Sequence, residues 1–109
     1  MSRAKGNFAE DKACEFLIDA GFSVVERNFY SRFGEIDIIA IKGNVLHFIE
    51  VKSGLDYESA VYNITKSKLS KIIKTAHVYM KRSSLDVDFV FDALIVVDAK
   101  IEFIENITL

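Results

Sequence analysis

Two apolar periodicities alternate along the chain. Ala9, Ala13, Phe16, Leu17 and Ala20 recur at helical spacing. They predict an amphipathic helix that Ser2 can cap and Gly21 stops. Phe22 to Phe29 then reads as a strand, and Tyr30-Ser31-Arg32-Phe33 as a connector. Gly34 to Lys52 reads as two β-branched strands joined at Gly43-Asn44, a strong hairpin signal because both residues tolerate positive φ. The pattern is lost over Ser53 to Glu58, a surface loop leading to Ala60-Val61-Tyr62. A second long helix, capped by Thr65 or Asn63 and ended by Ser83-Ser84, carries Leu69, Ile72, Ile73, Ala76, Tyr79 and Met80 on one face. Val87 to Val97 and Ile101 to Ile107 close the chain as strands. The order α-β-β-β-α-β-β predicts an α/β fold, a mixed sheet flanked by helices. The second helix is expected to make a right-handed parallel crossover.

The hairpin carries polar groups where a buried strand needs none. A two-residue loop sets Lys42 opposite Val45 and Asp37 opposite Glu50. A four-residue loop closed by Ile41 and Leu46 gives the same register, whereas a three-residue loop breaks it. Cross-strand Cβ atoms are about 4.5–5.5 Å apart, and like charges there repel by about 3 kcal/mol at an effective dielectric of about 20. Lys52 shares the face of Glu50, and Glu35 is set to pair with it across the strands. A divalent cation would remove the repulsion. A structural ion-pair network is the alternative. Glu10 stands at the edge of the first helix's apolar stripe. It is a solvated boundary residue unless the helix lays that edge over the hairpin.

At 109 residues the chain is expected to form one domain, residues 1–109. No apolar run approaches the length of a membrane span, and the N-terminus lacks a signal peptide's apolar core. Cys14 is the only cysteine, so no intrachain disulfide forms and a reducing cytoplasm is the expected compartment. The net charge of −2 argues weakly against a nucleic-acid partner. Its distribution argues otherwise: Lys66, Lys68, Lys71, Lys74, Lys81 and Arg82 fall in one stretch without an acid. Lys66 and Lys68 are either phosphate contacts or a solvated helical turn.

E-I-D, a hairpin and E-V-K resemble the D…E-x-K core of the PD-(D/E)XK nuclease superfamily. With G-N-F-A-E-D-K-A, R-F-G-E-I-D-I-I-A, F-I-E-V-K and F-D-A-L-I-V-V-D, the chain looks like the small bacterial YraN-like family from about Gly6 to Ile104. Members are described as predicted nucleases distantly related to archaeal Holliday-junction resolvases. The resemblance implies a restriction-endonuclease-like sheet and a Mg²⁺- or Mn²⁺-dependent endonuclease acting on branched DNA. It implies that Asp37, Glu50, Glu10 and the Val51 carbonyl hold the cation, and that Lys52 orients or helps deprotonate the attacking water. Hard oxygen ligands suit these ions, and no cysteine or histidine cluster suggests zinc. A homodimer is expected by analogy with the resolvases.

Lys5, Arg32, Lys66 and Lys68 are the candidate nucleic-acid contacts. Lys5 stands where relatives often carry an arginine, and Gly54 replaces the arginine of the frequent E-V-K-x-R continuation. Both departures bear on substrate affinity more than on metal binding. The rival expectation is a nucleic-acid-binding or scaffold protein that keeps the fold without catalysis. His47 falls on the face opposite Glu50 and reads as a core or interface residue. His77 reads as exposed, and Cys14 as buried and inert. Asp92, interrupting an apolar strand, is expected to accept structural hydrogen bonds.

Overall fold

The computed structural model describes residues 2–108, with side chains described from residue 8 onward. The Ser2 cap and the Lys5 side chain lie outside the described residues. The elements are α1 (Ser2–Asp19), β1 (Ser23–Ser31), β2 (Gly34–Lys42), β3 (Val45–Ser53), α2 (Tyr57–Tyr62), α3 (Lys66–Ser83), β4 (Asp88–Val97) and β5 (Lys100–Ile104). The strands form one sheet in the order β1-β2-β3-β4-β5. Only the β3–β4 pair is parallel; the other three are antiparallel. The crossover through α3 that makes β4 parallel to β3 agrees with the sequence expectation.

Local chemistry accounts for the boundaries. Lys42 pairs with Val45, so Gly43-Asn44 is a two-residue loop. Gly43 takes φ 62°, and Asn44 is not among the positive-φ residues. Positive φ at the first loop position alone suits the type II′ pattern, which favours glycine there. Thr65 caps α3 by accepting from Lys68 N at 3.2 Å, and Ser84 ends it at φ 53°.

Three boundaries differ from the sequence expectation. Tyr30 and Ser31 extend β1 rather than joining the connector. Part of the expected loop after Lys52 is the short α2, capped by Asp56 accepting from Ser59 N at 2.8 Å. It buries only Ala60, too little for a periodic stripe to be visible. The last strand stops at Ile104 because Asn106 N turns to donate to Asp92 Oδ1 at 2.8 Å.

The sheet buries a core on each face. Ala9, Ala13 and Leu17 of α1 pack with Ile38, Ala40, Ile49, Val51, Leu94 and Val96 on one side. Ile72 and Ala76 of α3 pack with Phe29, Ile36, Ile39, Leu46, Phe48 and Phe91 on the other. Ala20, expected in the α1 stripe, is exposed beyond the helix end.

These clusters reveal a break in alternation. Successive strand residues should face opposite sides of the sheet. Ile36 instead faces α3 together with Ile39, while Ile38 faces α1. The alternation therefore slips at Asp37. Opposite it on β1, Asn28 adopts φ 54° between the pairs Arg27↔Ile38 and Phe29↔Ile36. The β2–β3 ladder ends at Ile38↔Ile49, although both strands continue. Left-handed backbone is tolerated by asparagine and strained for β-branched residues. Asn28→Gly should therefore keep the fold, whereas Asn28→Val should be less stable than Asn28→Gly by about 1–2 kcal/mol. Urea unfolding of the two variants checks this.

Candidate functional site

The slip at Asp37 removes a rung from the sheet and puts a carboxyl in its place. Val51 N–H donates to Asp37 Oδ2 at 2.8 Å. Asp37 is only 8% exposed, and its side chain also contacts those of Glu50 and Glu35. The β2–β3 register, carried one residue past the last rung, puts Asp37 opposite Glu50. From the other face, α1 lowers Glu10 into the same spot. Carboxylate oxygens of Glu10, Glu35 and Asp37 lie within 4.8 Å of one another. Glu10 Oε1 is buried and receives no hydrogen bond. Arg27 Nη2 stands 3.6 Å from it but makes its closer ion pair, 2.9 Å, with Asp11.

The electrostatics follow from this crowding. Burial, then the hydrogen bond and charge of Glu50, push Asp37 up to about 8. The Val51 N–H and the contact with Glu35 oppose the shift without cancelling it. Burial, and after it the charge of Asp37, raise Glu10 as well; Asn28 and Arg27 pull it back. Asp37 and Glu50 share a hydrogen bond only while one carboxyl is protonated.

An open cleft of about 300 Å³ leads to this cluster, lined by Gly34, Glu35, Asp37, Glu50, Lys52, Lys68, Lys71 and Ile72. Lys68 is pulled below the usual lysine range chiefly by the charge of Lys52, which it contacts. Of the residues expected from sequence, Glu10, Asp37, Glu50, Lys52 and Lys68 come together. Val51, expected to offer its carbonyl to a cation, meets the cluster through its N–H, which is bonded to Asp37. Lys66, on the same helix, is not among the residues lining the cleft; Lys71 is. Arg32 is exposed and lies over the Phe33 ring, 4.9 Å from its centroid, outside the cleft lining.

Two participants were not anticipated in these roles. Glu35, expected opposite Lys52, places a carboxylate with Glu10 and Asp37. Asn28 read as a strand-closing residue; its left-handed backbone accompanies a side-chain hydrogen bond to Glu10. The asparagine beside Arg27 was the only available signal.

The remaining candidates are structural. His47 Nδ1 lies 2.5 Å from Asp92 Oδ2, and its ring packs edge-on against Phe22. Asp92 is fully buried and also accepts from Asn106 N, as a structural acceptor should. His77 is exposed. Cys14 is half-buried, and burial raises its thiol, which disfavours the reactive thiolate.

Hard oxygen donors, one of them buried without a hydrogen bond, fit a divalent cation in chemistry and in charge. Glu10, Glu35 and Asp37 would hold it, with Glu50 beside them. Fold and site define a mixed α/β protein with an acidic cluster set into a splayed strand pair and faced by lysines. The chain belongs to the UPF0102 family: residues 9–101 match the Uncharacterised protein family UPF0102. It is 64% identical to a UPF0102 protein of Sulfurimonas denitrificans over 109 residues, covering 100% of both chains. It is 57% identical to one of Wolinella succinogenes, again over 100% of both. A Helicobacter pylori relative is 58% identical over 106 residues, 97% of this chain and 92% of that one. No helix is long and apolar enough to cross a membrane among the described residues.

The raised Asp37 makes stability pH-dependent in the absence of metal. Between the unfolded value of 3.8 and about 8 the folded state holds a proton that the unfolded state has lost. Stability from this carboxyl is full below pH 4 and is lost as pH rises toward 8. Asp37→Asn should flatten that decline and stabilise the chelated protein near pH 8 by about 1–3 kcal/mol. Mn²⁺ should stabilise the parent increasingly as pH rises, because the ligands must deprotonate. At a hundredfold excess over the dissociation constant the gain is about 2.7 kcal/mol, and it should vanish in Asp37→Asn. Thermal unfolding of both proteins across pH, with chelator and with Mn²⁺, checks each statement. A destabilised variant and a parent that ignores Mn²⁺ would identify an ion-pair network instead.

Proposed function

We propose that the protein is a metal-dependent endonuclease that hydrolyses phosphodiester bonds in structured, branched DNA, on a restriction-endonuclease-like form of its mixed sheet. One observation carries the reading. Carboxylates from α1 and β2 converge within 4.8 Å of one another, while Glu50 and Lys52 of β3 line the cleft they open into. Such a gathering is unfavourable unless a cation and an anionic substrate complete it.

Mg²⁺ or Mn²⁺ bound there would polarise a phosphoryl oxygen and lower the pKa of a bound water. Glu10, Glu35 and Asp37 supply the negative charge that selects such an ion, and Val51 N–H fixes one oxygen of Asp37. Lys52 orients the attacking water toward phosphorus and offsets the charge that builds on the phosphate. As the new oxygen–phosphorus bond forms, the water releases a proton to solvent and the opposite bond breaks; the departing oxygen leaves with the electron pair and takes up a proton in turn. A DNA partner and action as a homodimer, with one site per strand, belong to the same proposal.

Gly54 in place of an arginine favours a second reading, a nucleic-acid-binding or scaffold protein without catalysis. Cleavage assays on four-way, flapped and linear DNA separate the two. The nuclease reading expects cleavage that needs Mg²⁺ or Mn²⁺ and prefers branched DNA. It also expects losses of about 10²-fold or more in Asp37→Asn and Lys52→Ala, both still binding DNA. Tight binding with no cleavage in any divalent metal would establish the scaffold.

A further inference from the structure

Two ammonium groups in contact repel as two carboxylates do, and the cleft beside Asp37 holds such a pair. Lys68 of α3 lies against Lys52 of β3, and Lys71 lines the same cleft. Lys71 is three residues along α3 from Lys68, so the two share one face of the helix. The helix is anchored where it brings them in. Thr75, fully buried, shares a hydrogen bond with Ser31 at 2.9 Å and donates back to Lys71 O at 2.8 Å. Gly34 lies under the same turn: a Cβ there would meet Lys71 Cβ at an ordinary contact distance of 3.5 Å, and its φ of 154° is what favours glycine.

Of the cleft's three acids, Glu35 and Asp37 belong to the carboxylate cluster. Glu50 meets Asp37, and its charge also favours the Lys68 ammonium. The cleft thus carries both signs of charge, three acids and three lysines. The carboxylates call for a cation and the lysines for an oxyanion with enough oxygens to meet several donors.

We propose that Lys68 and Lys71, with Lys52 between them and the carboxylates, form a second phosphate site, separate from the one at Asp37. Its chemistry is that of a phosphate oxyanion. Its source is the substrate strand, at the linkage neighbouring the one lying at Asp37, and this assignment rests on the nuclease reading. A strand held at two neighbouring phosphates by unlike groups of one cleft has its direction fixed, so the site sets the polarity of the bound strand. Lys66 lies outside the lining and takes no part.

The test replaces the phosphates of a short oligodeoxynucleotide one at a time by neutral methylphosphonates. Binding is read by fluorescence anisotropy with Ca²⁺, for the parent, Lys68→Ala/Lys71→Ala, and a control, Lys81→Ala/Lys100→Ala, with the same net charge. In the parent and the control, one linkage should cost roughly tenfold in affinity when neutralised. In Lys68→Ala/Lys71→Ala that linkage should cost nothing, while its neighbour keeps its effect. A second arm titrates inorganic pyrophosphate without divalent metal and reads thermal midpoints; the parent and control should rise, and the Lys68/Lys71 variant should not. Pyrophosphate binding that needs these two lysines, in a protein that binds no oligonucleotide, would keep the phosphate site and end the nucleic-acid reading. Losses spread evenly over all linkages would overturn the site, as would a Lys68/Lys71 variant that answers pyrophosphate as the parent does.

Discussion

The structure is arranged around the repulsion between carboxylates that it forces together. Asp37 is buried against Glu50, with Glu10 and Glu35 beside it. Ordinary sheet packing offers no return for this, and Asp37 answers by holding its proton to about pH 8. Among the described residues the Val51 N–H is the backbone donor aimed at that carboxyl, and it is available because β2 and β3 part at Ile38↔Ile49. A sheet that ran on regularly would have spent that N–H on a backbone carbonyl and turned Asp37 to one face.

The elements around the cluster serve to keep it in place. Asn28 lets β1 slip in step with β2, so the two strands remain paired across the irregularity. Arg27 ties β1 to α1 through Asp11 and sits near Glu10. On the opposite face, Thr75 and Gly34 seat α3 so that its lysines overhang Glu50. Farther along the sheet, His47 and Asp92 bind β3 to β4, and Asp92 holds the chain after β5. Fold and site are thus one set of contacts: each departure from regular structure near Asp37 has a named side chain that stabilises it.

Much of this was legible in the sequence, and the reason is local. Gly43-Asn44 defines a turn, the turn sets the register, and the register places Asp37 against Glu50 before any tertiary contact is known. Helical phase puts Glu10 at the edge of the α1 stripe but by itself leaves it a solvated boundary residue; its place in the cluster was implied only by the family resemblance. The slip at Asn28 and Asp37 was not legible, because alternation is assumed when faces are assigned and nothing in N-F or E-I-D announces the break. Lys71 over Lys66 was not legible either. Both follow the helical period, and only the close seat of α3 on Gly34 and Ser31 decides which reaches the cleft. The short α2 was hidden because one buried alanine cannot make a period.

The central claim is that the carboxylates are held together for a cation. Crystals soaked in Mn²⁺ and measured for anomalous scattering at the manganese edge test it most directly. The account predicts one strong peak bounded by the carboxylates of Glu10, Glu35 and Asp37, and no such peak in Asp37→Asn. Parent crystals without a peak, in which the Lys52 ammonium sits between Asp37 and Glu50, would contradict it.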